Sequence, residues 1–356
     1  MKFLNLFIII FLSLVSCSSS QTNTAVIEKK ATQPIDTSDM TNNFYDNVET
    51  YQLPVKDLFI DGEINNPGKV DFSVLPLHSV IVKETVLDSA GGDRFVGAYR
   101  YDGYSLFDIL DKRILKKANI NEFKPIIDLY VEIENDKGEK VVFSWGEIYY
   151  PNNLHKILIA NGVSRIVPSK TKELWPLPVE NKIVAASDLV TERNISSPLR
   201  ITVRSIQHSF EVKQGIVPLY SSQIDVFRAD KKTEPIKALP VNLHNDTFNT
   251  IFYGRGKGIH STTPFTGVLL KDLLLKDFPI TGSNLKSGLI CIAGKDGYRC
   301  ALSYSELFNR NDQQEFMLIK TNVNEDGGLF RIFSAADFFS DRAIKSVSEI
   351  HLDIIK

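Results

Sequence analysis

Apolar and polar residues alternate over many short stretches of the chain, and turn residues separate these stretches. Alternation with a period of two is typical of β-strands that bury one face. Residues 290–307 show the pattern most clearly and predict a strand, a tight glycine turn at 294–297, a second strand and a helix. The helix is predicted to begin at Ser303, because Ser303 and Glu306 have the spacing of a capping box.

The chain contains this pattern twice. Glycine, serine and glutamate recur with the same spacing at Gly138, Ser144 and Glu147 and at Gly297, Ser303 and Glu306. Two further ungapped blocks agree: residues 75–110 match 239–274, and residues 188–203 match 337–352. Blocks repeated in the same order predict an internal duplication. We place copy one at 52–206 and copy two at 215–356.

Each copy combines many short strands and hairpin turns with two short helices. This mixture predicts an α+β fold with a mainly antiparallel or mixed sheet, not a doubly wound parallel one. The Ser/Glu pairs are interpreted as helix starts and not as a nucleophile and its base. Two aspartate–arginine pairs, Asp188 with Arg193 and Asp337 with Arg342, are expected to brace the last strand of each copy.

The N-terminal residues have the character of a targeting segment. Lys2 precedes an apolar run at 3–15 that is too short to span a bilayer. The run ends in Leu-Val-Ser-Cys at 14–17, which resembles the lipobox of bacterial lipoproteins. The resemblance implies a signal peptide at 1–16, cleavage before Cys17, and membrane attachment through lipid on Cys17. An ordinary secretory signal is the alternative.

The residue after Cys17 indicates which bacterial membrane the protein would occupy. Ser18 stands where an aspartate commonly retains such proteins at an inner membrane, which favours the outer membrane of the bacterial cell envelope. Residues 17–51 are polar and predict a flexible tether. The formal net charge of -2 over 356 residues gives no basic surface, so no nucleic-acid partner is expected. Besides Cys17, the mature chain would contain only Cys291 and Cys300, as a disulfide or as two buried thiols.

The two copies resemble the sulfite-oxidase-type molybdopterin-binding domain. The positions that carry the resemblance are Gly62, Asn66, Pro67, Gly68, Gly103, Leu106, Asp108, Leu110, Arg193 and Ile201 in copy one, and Gly267, Leu270, Leu274, residues 295–298, Ser303, Glu306, Leu307 and residues 341–350 in copy two. The resemblance implies two tandem copies of that fold and oxidoreductase chemistry at molybdenum. It also implies a molybdopterin cofactor and one protein cysteine thiolate as metal ligands.

The sequence departs from the family at this ligand. The loops that correspond to the family's cysteine loop, 88–94 and 253–260, contain no cysteine. Molybdopterin is therefore a candidate cofactor, but the sequence lacks the cysteine that would bind its metal. The same loops still offer backbone N–H groups and cations that suit an anionic ligand. The candidate cofactor-binding residues are Ser89, Gly91, Arg94, Arg255, Lys257 and His260; solvated hairpin ends are the alternative interpretation.

No other motif predicts catalysis. The six histidines are scattered without an HxxxH or HExxH pattern, so no metal site is predicted. A GxSxG nucleophile elbow is also absent from the sequence, and no catalytic residue is assigned.

The leading hypothesis is a lipid-anchored envelope protein that has lost molybdenum catalysis and has a binding or assembly role, with another envelope protein as its partner. One alternative is an active molybdopterin-dependent oxidoreductase with atypical metal ligation. Another is a solute-binding lipoprotein with a pocket between the copies.

Overall fold

The computed structural model describes residues 49–150, 154–168, 170–213, 215–321 and 328–356. The predicted signal peptide and nearly all of the predicted tether lie outside these residues. The described residues of both predicted copies belong to one compact unit.

Copy one contributes two five-stranded sheets. Sheet I has the order β1-β8-β5-β4, with β9 also paired to β8; its strands are β1 (Thr50–Gln52), β4 (Leu77–Leu87), β5 (Asp93–Ser105), β8 (Ile157–Arg165) and β9 (Lys182–Ala185). Sheet II has the order β3-β2-β10-β6-β7; its strands are β2 (Phe59–Gly62), β3 (Gly68–Lys69), β6 (Leu129–Asn135), β7 (Lys140–Ser144) and β10 (Pro198–Ser205).

Copy two contributes the remaining sheets. Sheet III has the order β12-β11-β21-β17-β18; its strands are β11 (Asp225–Arg228), β12 (Lys231–Lys232), β17 (Gly288–Gly294), β18 (Arg299–Ser303) and β21 (Val347–Ile354). Sheet IV has the order β13-β16-β19-β20; its strands are β13 (Asp246–Phe248), β16 (Phe265–Leu269), β19 (Phe316–Lys320) and β20 (Phe330–Ser334). A separate hairpin pairs β14 (Phe252–Gly254) with β15 (Gly258–Ser261).

Sheets II and III have the same strand order. In each, a strand near the start of the copy pairs in parallel with its last strand: β2 with β10, and β11 with β21. The last strand then pairs antiparallel with a hairpin, β6–β7 in sheet II and β17–β18 in sheet III. Each copy therefore brings its beginning and its end together in one sheet. The copy boundaries at 52–206 and 215–356 stay a prediction.

The helices are short. They are α1 (Leu106–Asp111), α2 (Trp145–Tyr149), α3 (Leu270–Leu274), α4 (Gly282–Ser287) and α5 (Tyr304–Phe308). Leu106, Ile109 and Leu110 of α1 are buried, so this helix turns an apolar face toward the core.

The predicted α+β class, with two tandem copies of a sulfite-oxidase-type fold, is wrong. Strands hold 42% of the structure and helices 11%, and the small sheets have an arrangement similar to a four-bladed β-propeller. The physical reason is helix length. Capping residues and apolar spacing indicate where a helix begins, but these helices end after five or six residues. Elements of one or two turns bury little surface, so the sheets form the core.

Sheets II and III pack against each other where β6 and β7 contact β17 and β18. A small apolar cluster seals this junction; its buried members are Tyr130, Val142, Ile206, Leu289, Cys291 and Ala301. The backbone N–H of Ala301 also donates to the carbonyl of Ile127 at 2.8 Å. The two copies thus share core contacts and are not merely linked in sequence.

The two cysteines are free and buried. In the β17–β18 register, Cys291 lies opposite Ala301 and Ile292 lies opposite Cys300. Because successive residues of a strand point to opposite faces, the two thiols lie on opposite faces of sheet III. Of the two states that the sequence allows, a disulfide or two buried thiols, this register favours the buried thiols.

Candidate functional site

The first predicted loop forms the tip of the β4–β5 hairpin. Ser89 and Gly91 are exposed in the turn, and Arg94 is exposed on β5. The carboxylate of Asp88 accepts hydrogen bonds from the N–H groups of Ala90 and Gly92, each at 2.8 Å. Part of the backbone that would cradle an anion is therefore already bound to a carboxylate.

The second predicted loop is the β14–β15 hairpin, which carries Arg255, Lys257 and His260. Arg255 forms an ion pair with Asp341, at 2.5 Å between Nε and Oδ2. Tyr150 donates to the same carboxylate at 2.9 Å. His260 is exposed, and Lys257 lies in the exposed turn. Among the described residues, no hydrogen bond, ion pair or ring contact joins this hairpin to the β4–β5 tip. Cofactor binding by these six residues stays a prediction.

Two buried arginines lie at the junction of the copies. Arg193 donates to Asp188 through Nε and Nη2, at 2.8 and 2.6 Å. Arg342 donates to Asp337 through the same two atoms, at 2.8 and 2.5 Å. Both guanidinium groups are almost completely removed from solvent. The two aspartate–arginine pairs expected from the sequence are therefore present, in equivalent geometry.

Each arginine also reaches into the other copy. Arg193 Nη1 lies 3.1 Å from Ser303 Oγ, and Arg342 Nη1 lies 3.3 Å from Ser144 Oγ. Ser144 Oγ donates to Glu306 Oε2 at 2.7 Å. The two arginine–serine contacts are reciprocal between the copies, which the sequence spacing gave no means to predict.

The two serines are helix N-caps, so this prediction is confirmed. Ser144 accepts from the N–H of Glu147 at 3.0 Å, and Ser303 accepts from the N–H of Glu306 at 3.1 Å. Glu147 completes a capping box in α2. The carboxylate of Glu306 instead forms an ion pair with Arg342 at 2.6 Å. This ion pair links the first turn of α5 to the buried arginine of copy two.

Burial dominates the electrostatics of this network. It raises the pKa of Glu306 to about 7, against the lowering effect of Arg342. Burial alone would lower the pKa of Arg342, but Asp337 and Glu306 raise it well above its usual value. The adjoining cavity measures only 20 Å³, room for about one water molecule. The network is therefore a structural junction with no space for a substrate.

A wider groove of 610 Å³ lies beside the segment that connects the copies. Ser209, Phe210, Tyr220, Lys295, Gly297 and Glu349 are among the residues that line it. Its walls come from the connecting segment and from copy two. It therefore differs from the pocket between copies that the solute-binding alternative anticipates.

Two histidines that are distant in sequence meet beside α1. His78 comes from β4 and His155 follows α2, and their rings stack at 3.7 Å with 7° between their planes. His78 Nε2 lies 2.8 Å from Asp108 Oδ2, and His155 Nδ1 lies 3.6 Å from the same oxygen. Burial, and secondarily His78, lower the pKa of His155. No sequence motif signals this cluster, because 77 positions separate the histidines and only the fold brings them together.

A second histidine cluster joins the connecting segment to β21. His208 Nε2 lies 2.6 Å from Asp353 Oδ2, and the exposed Asp230 lies nearby. The hydrogen bond with Asp353 is the main cause that raises the pKa of His208. A raised pKa favours the imidazolium form, which is an ion-pair partner and not a metal ligand.

The pair of His208 and Asp353 predicts a pH dependence of stability. Because the folded-state pKa of His208 is raised, its contribution is fully present below the unfolded-state pKa of about 6.5. The contribution is lost as the pH rises through the folded-state value. Urea unfolding measured from about pH 6 to about pH 8 should show a fall in stability that His208→Asn reduces. His244→Asn is the control, since that side chain is 82% exposed. An equal fall in wild type and His208→Asn would contradict this assignment.

The cysteines do not fit the thiolate ligand of a sulfite-oxidase-type molybdenum centre. Burial raises the pKa of both thiols above the usual range, whereas a metal ligand must be the thiolate. They also lie on β17 and β18 rather than in the β4–β5 or β14–β15 hairpins. The donor set of the described residues therefore supplies no such ligand at the predicted loops.

Comparison with protein-family models and with curated proteins finds no match for this chain. Within the described part of the structure, no helix has the length and apolar character needed to cross a membrane.

Proposed function

We propose that the protein is a lipid-anchored component of a bacterial cell envelope, with a binding or assembly role and no molybdenum catalysis. The observation that carries the proposal is the Leu-Val-Ser-Cys sequence at 14–17, directly after the apolar run and before a polar stretch. Acyl chains on Cys17 would hold the protein at a membrane. Ser18, in place of the aspartate that commonly retains lipoproteins at the inner membrane, favours the outer membrane.

The polar tether predicted at 17–51 supports this arrangement. Its residues would separate the lipid on Cys17 from copy one, which is predicted to begin at 52. A flexible chain of this length has a root-mean-square reach of about 30 Å. The folded unit would thus work close to the membrane surface, where the partner would be another envelope protein.

The geometry of the junction argues against catalysis by its own residues. Its carboxylates are paired with Arg193 and Arg342, and the adjoining cavity holds about one water. The predicted loop residue Arg255 is paired with Asp341. In these pairs the charged side chains stabilise the fold and are not available to a substrate.

The test is replacement of Cys17. Cys17→Ser should abolish incorporation of labelled palmitate and move the protein from the membrane fraction to the soluble fraction, because the acylated sulfur is gone. Ser18→Ala is the matched control and should keep both label and membrane fractionation. Membrane fractionation and labelling that persist in Cys17→Ser would overturn the proposal. For the binding role, crosslinking in intact cells should capture an envelope protein with the wild type, and capture of none would count against it.

A further inference from the structure

We propose that His78, Asp108 and His155 form a binding site for a divalent transition-metal ion, with zinc(II) as the best match. The site is independent of the lipid anchor and of the two predicted loops. It rests on the convergence of three different elements on one point.

The three side chains come together from separate parts of copy one. His78 lies on β4, Asp108 lies in the first turn of α1, and His155 lies beyond the end of α2. One potential ligand atom from each lies within 4.8 Å of the other two. Since β4 pairs with β5 and α1 follows β5 directly, the sheet fixes His78 and Asp108 relative to each other.

The distances suit a small metal ion. Ligands held about 2.1 Å from a tetrahedral zinc ion lie about 3.4 Å apart. The observed separations from Asp108 Oδ2 are 2.8 Å to His78 and 3.6 Å to His155, on either side of that value. Two imidazoles and one carboxylate are a donor set that zinc accepts, with a fourth position left for water or a ligand.

The surroundings allow an ion to enter and to lose part of its water. The side chains of His78, Asp108 and His155 are 22%, 16% and 32% exposed, so the cluster opens to solvent. Phe107 lies edge-on to His155 at 5.8 Å and to Tyr149 at 5.0 Å, which forms an aromatic wall on one side. A partly apolar wall strengthens the attraction between a cation and the carboxylate.

The ring stack sets a condition on binding. The imidazole planes are nearly parallel, so their in-plane lone pairs point side by side and do not converge. Binding of one ion by both rings therefore requires one ring to turn about its Cβ–Cγ bond.

The test uses the full chain, purified in detergent and freed of metal with a chelator. Cobalt(II) serves as the spectroscopic probe and zinc(II) as the competitor. We expect one equivalent of cobalt to give the strong visible absorption of a tetrahedral centre, and zinc to displace it. Zinc should also raise the thermal unfolding temperature of the wild type by mass action.

Variants distinguish this site from adventitious binding. His78→Ala and His155→Ala should each weaken binding by more than about a hundredfold, because loss of a ligand exceeds the 10–100-fold effect of losing an outer-shell partner. Asp108→Asn keeps the shape of the side chain but removes its charge, and it decides the question if a histidine variant fails to fold. His244→Ala is the control and should bind as the wild type does.

Several results would overturn the proposal. They are the absence of stoichiometric binding, a weak octahedral cobalt spectrum, and wild-type affinity in folded Asp108→Asn or in both histidine variants. Equal losses in His244→Ala and His155→Ala would show nonspecific binding by surface histidines and would also overturn it.

Discussion

Replacement of Arg342 by methionine is expected to lower the free energy of unfolding by about 3–5 kcal/mol, the range for breaking a buried ion pair on one side. The change leaves Asp337 and Glu306 buried without their shared cation. It also removes the contact from Arg342 to Ser144 in the other copy. Urea denaturation, followed by circular dichroism, measures the loss.

Two matched variants sharpen this test. Arg193→Met removes the equivalent cation from Asp188 and Glu147 and should cost a similar amount. Arg200→Met removes an ion pair with Asp61, and the side chain of Arg200 is 56% exposed. This change should lower the free energy of unfolding by about 1 kcal/mol or less. If Arg342→Met cost no more than Arg200→Met, the junction network would not be the stabilising feature described above.

Alanine at Gly103 or at Gly267 is expected to destabilise the fold by about 3 kcal/mol, the upper part of the usual range for overpacking. A Cβ atom at Gly103 would lie 2.4 Å from the carbonyl oxygen of Ile159 on the neighbouring strand. A Cβ atom at Gly267 would lie 2.4 Å from the carbonyl oxygen of Leu318. Backbone atoms on a paired strand cannot move aside as a flexible side chain can, so β5–β8 or β16–β19 must separate.

Gly256→Ala is the control for both glycine variants, because a Cβ atom there meets nothing within 4 Å. Its effect should remain within about 0.5 kcal/mol, as for an ordinary surface change. Thermal unfolding of the three variants side by side provides the measurement. Loss of stability in Gly256→Ala equal to that in Gly103→Ala would mean that close strand approach is not the cause.

The sequence predicts local features of this protein well. The turn at 294–297 and the caps at Ser144 and Ser303 were predicted correctly, because each depends on a few neighbouring residues. The fold class was predicted wrongly. Capping residues and apolar spacing indicate where a helix begins but not how soon packing ends it, so they overstate the helical share of this fold.

The features of the candidate sites were beyond reach of the sequence for a different reason. The contact of Ser144 with Glu306 spans 162 positions, and only the packing of sheet II on sheet III creates it. The meeting of His78 with His155 likewise depends on where β4 lies relative to the end of α2. Spacing along the chain carries no information about such contacts. The faces of Cys291 and Cys300 depended on a strand register that the turn alone did not fix.

The reciprocal arginine–serine contacts have a consequence for assembly. When one half offers Arg193 to Ser303 and receives Arg342 at Ser144, the interface is self-complementary, as in an isologous two-fold dimer. Two separate subunits with this interface would dissociate on dilution. Joined in one polypeptide, the halves meet at a fixed one-to-one ratio, so a single molecule keeps its interface at any abundance.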